Sequence, residues 1–252
     1  MNDTKLLELR DISAGYESLD VLHHVDLEVH AGEIVSIIGA SGAGKTSVLR
    51  VAAGILHPHA GTILMNGNSA GRWTWDQIGR GLVAYVPRGR LLFANQSVHA
   101  NLLMGGHWYR KDKERLRKGQ ALVYQLFPAL ATSKQQAAGA LSSGGQQMLA
   151  IGRAIMSDST ILVLDEPSAG LEPEVAQTVF TALSKLSNIG RSVLMAERRV
   201  SFALSASNRC YVMQMGRIAY SGPSSDLQGS PDTVAAYLGR DLFDVPSSRY
   251  GA

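Results

Sequence analysis

The residues best suited to chemistry lie in Ile38–Arg50, IGASGAGKTSVLR. Gly39, Gly44, Lys45 and Thr46 satisfy G-x-x-x-x-G-K-[ST], with an apolar run (Ile34, Val35, Ile37, Ile38) before them and helical spacing after. Glycines let a backbone bend so that successive N–H groups converge on phosphate oxygens, and a helix N-terminus adds partial positive charge there. Gly39, Ala40, Ser41, Gly42, Ala43 and Gly44, continued by Lys45, Thr46 and Ser47, therefore form a candidate cradle for nucleotide phosphates. Lys45 would reach the β- and γ-phosphates, and Thr46 would offer its hydroxyl to Mg2+. A ligand-free glycine-rich turn can carry the same letters, but the strand before and the helix after argue for the functional one.

A second pair agrees with it. ILVLDEP, Ile161 to Pro167, reads as a buried strand ending in two carboxylates, the place where an open α/β sheet puts ligand chemistry. Asp165 could hold Mg2+ through water, and Glu166 could polarise a water for in-line attack on a γ-phosphate. Alone, two acids after an apolar strand often only begin a loop; with the phosphate loop they make a site.

Those residues need a scaffold. Strand-like runs occur at Leu6–Leu9, Val25–Val29 and Ile34–Ile38, and Thr62–Gly67 reads as a strand entering an Asn-Gly turn. Leu82–Val86 is a further apolar run, stopped by Pro87. From about Leu92 to Gln136 the spacing turns helical, as in an inserted lobe (about 92–140). A helix from about Gly144 to Met156, the strand Ile161–Leu164, a helix after Pro173, the strand Val193–Ala196 and two neighbouring strands, YVMQM and RIAYSG, follow. Strands alternating with helices predict an α/β fold with parallel pairing at its centre.

Composition sets the outer limits. With 252 residues, 45% of them hydrophobic and 18% charged, the chain can bury one substantial core. A net charge of +3 with scattered Lys and Arg names no partner and predicts no nucleic-acid binding. The one basic run, Arg110–Lys118, is interrupted by Asp112 and Glu114 and reads as a solvated helix face. One cysteine, Cys210, excludes an intrachain disulfide or a multi-cysteine zinc site and reads as core. The N-terminus shows no secretory pattern and no apolar run is long enough for a bilayer, so a membrane role would come through a partner.

ALSSGGQQMLAIGRAIM, Ala140 to Met156, resembles the signature segment of ABC transporter nucleotide-binding subunits. The resemblance runs from about Leu6 to Gly239. It is similar in particular to the ATPase subunits of branched-chain amino acid importers and their amide and urea relatives. The phrases SAGY, AGEIVSIIGASGAGKT, AYVP-x-GR-x-LF, QQMLAIGRAIM, LDEPSAGLEP and GRIAYSG carry it. It implies a phosphate-loop ATPase core (residues 1–240) of mixed parallel sheet, N-terminal antiparallel strands, an inserted helical subdomain, and a tail over 241–252. It further implies Tyr16 stacked on adenine, and Ser142, Ser143 and Gly144 meeting the γ-phosphate of ATP on a second ATP-binding subunit. Ser168–Glu172 would be the loop that crosses to that subunit.

Four positions, at three sites, depart from the family pattern. Ser143 replaces the first signature glycine and Gly145 the final Gln or Glu; a Cβ at 143 would matter if the backbone there needed a positive φ or a close approach to phosphate. Arg88 stands where Gln or Glu is usual in the loop that touches Mg2+, and a guanidinium has only donors. Arg198 stands at the switch histidine, where it can neutralise phosphate charge but cannot act as a neutral imidazole. ATP binding with low intrinsic turnover is the expectation.

The resemblance implies an importer ATPase, peripheral to the cytoplasmic face of the inner membrane. It would work with two transmembrane permease subunits, a second ATPase and, indirectly, a solute-binding protein. The lobe and Arg88–Phe93 would face the membrane partner. A nucleotide-gated clamp in repair or translation is the alternative; such proteins usually carry two cassettes or a long coiled-coil insertion. A phosphate-loop kinase has no use for the signature helix.

Overall fold

The computed structural model describes residues 4–17, 19–70 and 82–228. The expected tail over 241–252 lies outside them. The chain opens with β1 (Lys5–Tyr16) and β2 (Leu19–His30), an antiparallel pair with several bulges, joined on the other side of β1 by β4 (Ala60–Met65) and β5 (Asn68–Ser69). The strand reading at Leu6–Leu9 and Val25–Val29 thus caught only the first part of β1 and the last part of β2. β4 and β5 meet across Asn66 and Gly67, both at positive φ (50° and 76°), the tight turn that Asn-Gly favours.

The second sheet has the order β10-β9-β3-β8-β7-β6, formed by β3 (Ile34–Gly39), β6 (Val83–Val86), β7 (Ile161–Asp165), β8 (Ser192–Ala196), β9 (Arg209–Gln214) and β10 (Arg217–Pro223). All neighbours pair in parallel except β9 and β10. β3, β7 and β8 are buried at every position, because a parallel sheet is covered on both faces. One apolar cluster fills the space between this sheet, the first sheet and α1 (Lys45–Ala52), through residues such as Leu7, Ile12, Val48 and Leu49.

The opposite face is covered by α5 (Ser143–Met156) and α6 (Pro173–Asn188). Outside α5 lie α2 (Val98–Gly105), α3 (Lys113–Leu126) and α4 (Pro128–Thr132), which make the helical insertion. Phe127, Leu102 and Leu130 are its fully buried anchors, packed in one cluster with Leu149 and Ile151 of α5. Ser97 and Asp112 cap α2 and α3 by accepting from the N–H groups of Ala100 and Arg115, and Pro173 occupies the first turn of α6. On α3, Lys118 pairs with Glu114 at 2.7 Å, so the basic run is a solvated face as its charges suggested. Two short helices, α7 (Val200–Ala206) and α8 (Ser224–Gln228), complete the described residues, and sequence periodicity had placed nothing at either.

Candidate functional site

The sheet order does the assembly. β3, β8, β7 and β6 are adjacent and parallel, so the segments leaving their carboxyl ends emerge along one edge. Those segments are the phosphate loop after β3, Glu197 and Arg198 after β8, Glu166 after β7, and Arg88 beyond β6. An open α/β sheet places ligands at this edge.

The phosphate loop closes onto α1 through Gly44, whose φ of 103° an L side chain would resist, and a Cβ there would press on Leu22 at 3.0 Å. Ala40 and Ser41 are exposed at the loop tip, Ala43 and Ser47 are buried. Lys45 is 6% exposed and its Nζ donates to the carbonyls of Gly39 (2.6 Å) and Ala40 (2.8 Å), bridging the turn. Burial pushes this ammonium below the usual lysine range, with Arg198 and Arg88 adding to the shift and Glu166 and Asp165 opposing it. An anionic ligand in the loop would relieve the crowding of three cations.

Thr46 meets Asp165 directly: its Oγ1 donates to the Asp165 carboxylate at 3.0 Å. Burial pushes the Asp165 carboxyl up, against the Thr46 bond and the neighbouring Arg88, Arg50 and Lys45. A hydroxyl beside a carboxylate that is costly to desolvate is a hard-oxygen donor pair of the kind Mg2+ takes, with water and phosphate supplying the rest.

Glu166 sits at φ 49°, a sparsely populated conformation for a non-glycine residue, held by its N–H bond to Ala196 O at 2.9 Å. Its carboxylate is engaged by Arg88, Nη2 to Oε2 at 3.0 Å. Arg88, expected at the nucleotide and unable to ligate Mg2+, thus lies on the acid next to Asp165 in this structure. Arg198 is exposed at the same edge, its N–H donating to Glu197 at 3.0 Å.

Tyr16 lies at the rim, 39% exposed, with its hydroxyl 3.3 Å from Ser47 Oγ and accepting from Arg50 Nη1 at 3.0 Å. The hydroxyl is anchored to α1 while the ring remains open to a flat ligand. Arg50, which belongs to no motif, holds it there.

The signature segment opens α5. Ser142 is its N-cap, accepting from Gly145 N–H at 3.2 Å. Ser143 is the first helical residue and is not among those at positive φ, so its Cβ costs no backbone strain there. Gly144 is the position that tolerates no side chain: a Cβ would come within 2.4 Å of Val175. Ser143 Oγ points to Gly170 O at 3.4 Å, within the 168–172 loop.

Two tethers escaped the sequence reading because each depends on residues far apart in the chain. Glu197 binds Ser168, and Arg153 donates to the carbonyls of Leu91 (2.8 Å) and Arg90 (3.2 Å). Arg153 stands beside a groove lined by Tyr85, Val86, Phe93, Met104 and His107.

Comparison with known proteins agrees with this arrangement. The family model described as ABC transporter matches residues 22–169. The high-affinity branched-chain amino acid transport ATP-binding protein BraG of Pseudomonas aeruginosa is 38% identical over 234 residues, covering 93% of this chain and all of that one. A protein of Archaeoglobus fulgidus named a probable branched-chain amino acid transport ATP-binding protein, LivF, is 32% identical over 226 residues, covering 88% and 94%. The crystal structure of an ATP-binding cassette of an ABC transporter in its ADP conformation superposes with a TM-score of 0.79 at 25% identity, covering 93% of this chain and 99% of that one. The chain belongs to the ABC ATPase family and is an ATP-binding subunit of an ABC transporter.

Proposed function

We propose that this subunit hydrolyses ATP to power import of branched-chain amino acids or related small polar solutes through two separate membrane subunits. The observation that carries the catalytic part is the contact of Thr46 with Asp165, next to Glu166, at the carboxyl edge of the parallel sheet. The solute class rests on the similarity to BraG and LivF, whose names specify branched-chain amino acid transport.

In this reading the N–H groups of residues 39–47 bind the phosphates of ATP and Lys45 swings from its carbonyl partners onto the β- and γ-phosphates. Thr46 and Asp165 would hold Mg2+, which would supply charge neutralisation to the β- and γ-phosphates. Glu166 accepts the proton of the attacking water, and Arg198 offsets charge at the γ-phosphate. Tyr16 stacks on the adenine. Ser142, Ser143 and Gly144 at the N-terminus of α5 serve the ATP of a second ATP-binding subunit, where the helix dipole favours phosphate. ATP must bind the closed pair better than the open one for closure to drive transport.

The membrane subunits would seat a cytoplasmic segment in the groove beside Phe93 and Met104. Phe93 (52% exposed) and Met104 (40%) offer apolar surface there, which a free-standing clamp would have no reason to present. By likeness to the importer ATPases, attachment would be peripheral, at the cytoplasmic face, with a solute-binding protein engaged only indirectly; among the described residues no helix is long and apolar enough to cross a membrane.

Steady-state ATP hydrolysis and ATP affinity, measured on the wild type and on Glu166→Gln, test the reading. Retained affinity with turnover lost in the variant is the expected result; absence of ATP binding by the wild type would overturn it.

A further inference from the structure

Resting on that reading, we infer that Arg88 is a positioning residue which holds Glu166 away from its water, and which frees it when the 87–93 loop moves. Glu166 has little freedom of its own. Its side chain is 9% exposed, its backbone is fixed at φ 49°, and Oε2 takes the Arg88 guanidinium at 3.0 Å. The guanidinium fills one acceptor position of a carboxylate that is nearly closed to solvent, so a water seeking that oxygen must compete with a fixed cation paired to it. Arg88 is 53% exposed and can leave with little desolvation.

The loop that carries Arg88 has the features of a movable element. Arg90 and Leu91 both occupy left-handed backbone (φ 59° and 47°), a costly conformation for two successive L residues. The loop is tied to α5 from both directions. Arg90 donates to Gln147 Oε1 at 3.0 Å and Gln146 Oε1 at 3.3 Å, and Arg153 donates back to the carbonyls of Arg90 and Leu91. Beyond those tethers, Leu91 and Phe93 face outward. One short segment therefore carries a cation on the acid at one end and exposed apolar surface at the other. A membrane-subunit segment seated against Leu91 and Phe93, or a shift of α5, moves both ends together.

The test compares wild type, Arg88→Gln, Arg88→Lys, Glu166→Gln and the Arg88→Gln/Glu166→Gln double variant. Arg88→Gln is expected to raise kcat of the isolated subunit about threefold to tenfold, with KM for ATP within about twofold. Arg88→Lys, which keeps a point charge without the planar fork, should raise it less. The gain must vanish in the double variant. Independently of nucleotide, the melting shift of the double variant should fall short of the summed single shifts by roughly 1–3 °C, because the pair is lost only once. A kcat for Arg88→Gln at or below wild type, or additive melting shifts, overturns the inference. Failure of the wild type to bind ATP would instead overturn the proposed function, while the melting comparison would still judge the pair.

Discussion

The carboxylate of Glu197, 1% exposed, accepts from both the N–H (2.7 Å) and the Oγ (2.9 Å) of Ser168. It also takes the N–H groups of Arg198 (3.0 Å) and Arg199 (3.4 Å). One buried side chain thereby joins the segment after β8 to the loop that begins two residues beyond Glu166. Arg199 completes the connection by donating to Leu171 O at 3.0 Å. Burial pushes the Glu197 carboxyl up even though four donors oppose it.

Glu197→Ala would strand several buried donors at once. A loss of about 2–3 kcal/mol in urea unfolding is expected, the usual cost of an unsatisfied buried partner of a charged group. Hydrolysis should fall more than ATP affinity, because the disturbed loop adjoins Glu166 and not the phosphate cradle. An affinity loss as large as the loss of turnover would contradict the placement of Glu197.

Thr46→Val keeps the β-branched shape and removes the hydroxyl that Asp165 accepts. ATP affinity measured with Mg2+ should weaken about tenfold or more, while affinity measured in excess EDTA should change little. Equal losses under both conditions would place the hydroxyl on phosphate alone.

Asp158, at φ 59°, binds Arg115 of α3 at 2.7 Å and also Arg191 ahead of β8, clasping the helical insertion to the sheet. Burial pushes its carboxyl up, but the bonds from Arg191 and Arg115 outweigh that and hold it below the usual range. A depressed carboxylate stabilises the fold above its unfolded pKa, about 3.9, and loses that contribution as pH falls through the folded value. Asp158→Asn, which still tolerates the left-handed backbone, should cost about 1 kcal/mol at pH 7, or roughly 2–4 °C in Tm. The gap between variant and wild type should close below about pH 4; a gap constant with pH would mean that packing, not charge, was lost.

Cys210 is fully buried and burial pushes its thiol up to about 11. At pH 8 the native protein should resist a thiol-directed alkylating reagent, with rapid labelling only in denaturant. Labelling of the native chain at the rate of a free thiol would show that the β9 region opens locally.

Much of the site was legible because its logic is local. Gly44, Lys45 and Thr46 must be contiguous for one turn to aim its N–H groups inward and pass straight into a helix, so spacing alone identifies them. The carboxylates after ILVL and the helix cap at Ser142 are local in the same way. Strand and helix boundaries were less legible: β1 and β2 are bulged and extend beyond their apolar runs, and α7 is too short for a periodic pattern to stand out.

The sequence by itself determined the family, the fold and the phosphate-binding chemistry, since each rests on residue types at fixed short spacing. Only the tertiary structure decided which partners the unusual residues take. Arg88 and Glu166 are far apart in the chain and meet because β6 and β7 are parallel neighbours whose carboxyl ends emerge together. Glu197 reaches Ser168 because β7 and β8 pair in register at Asp165 and Ala196. Such contacts are set by strand order, which long-range packing chooses and local sequence does not encode.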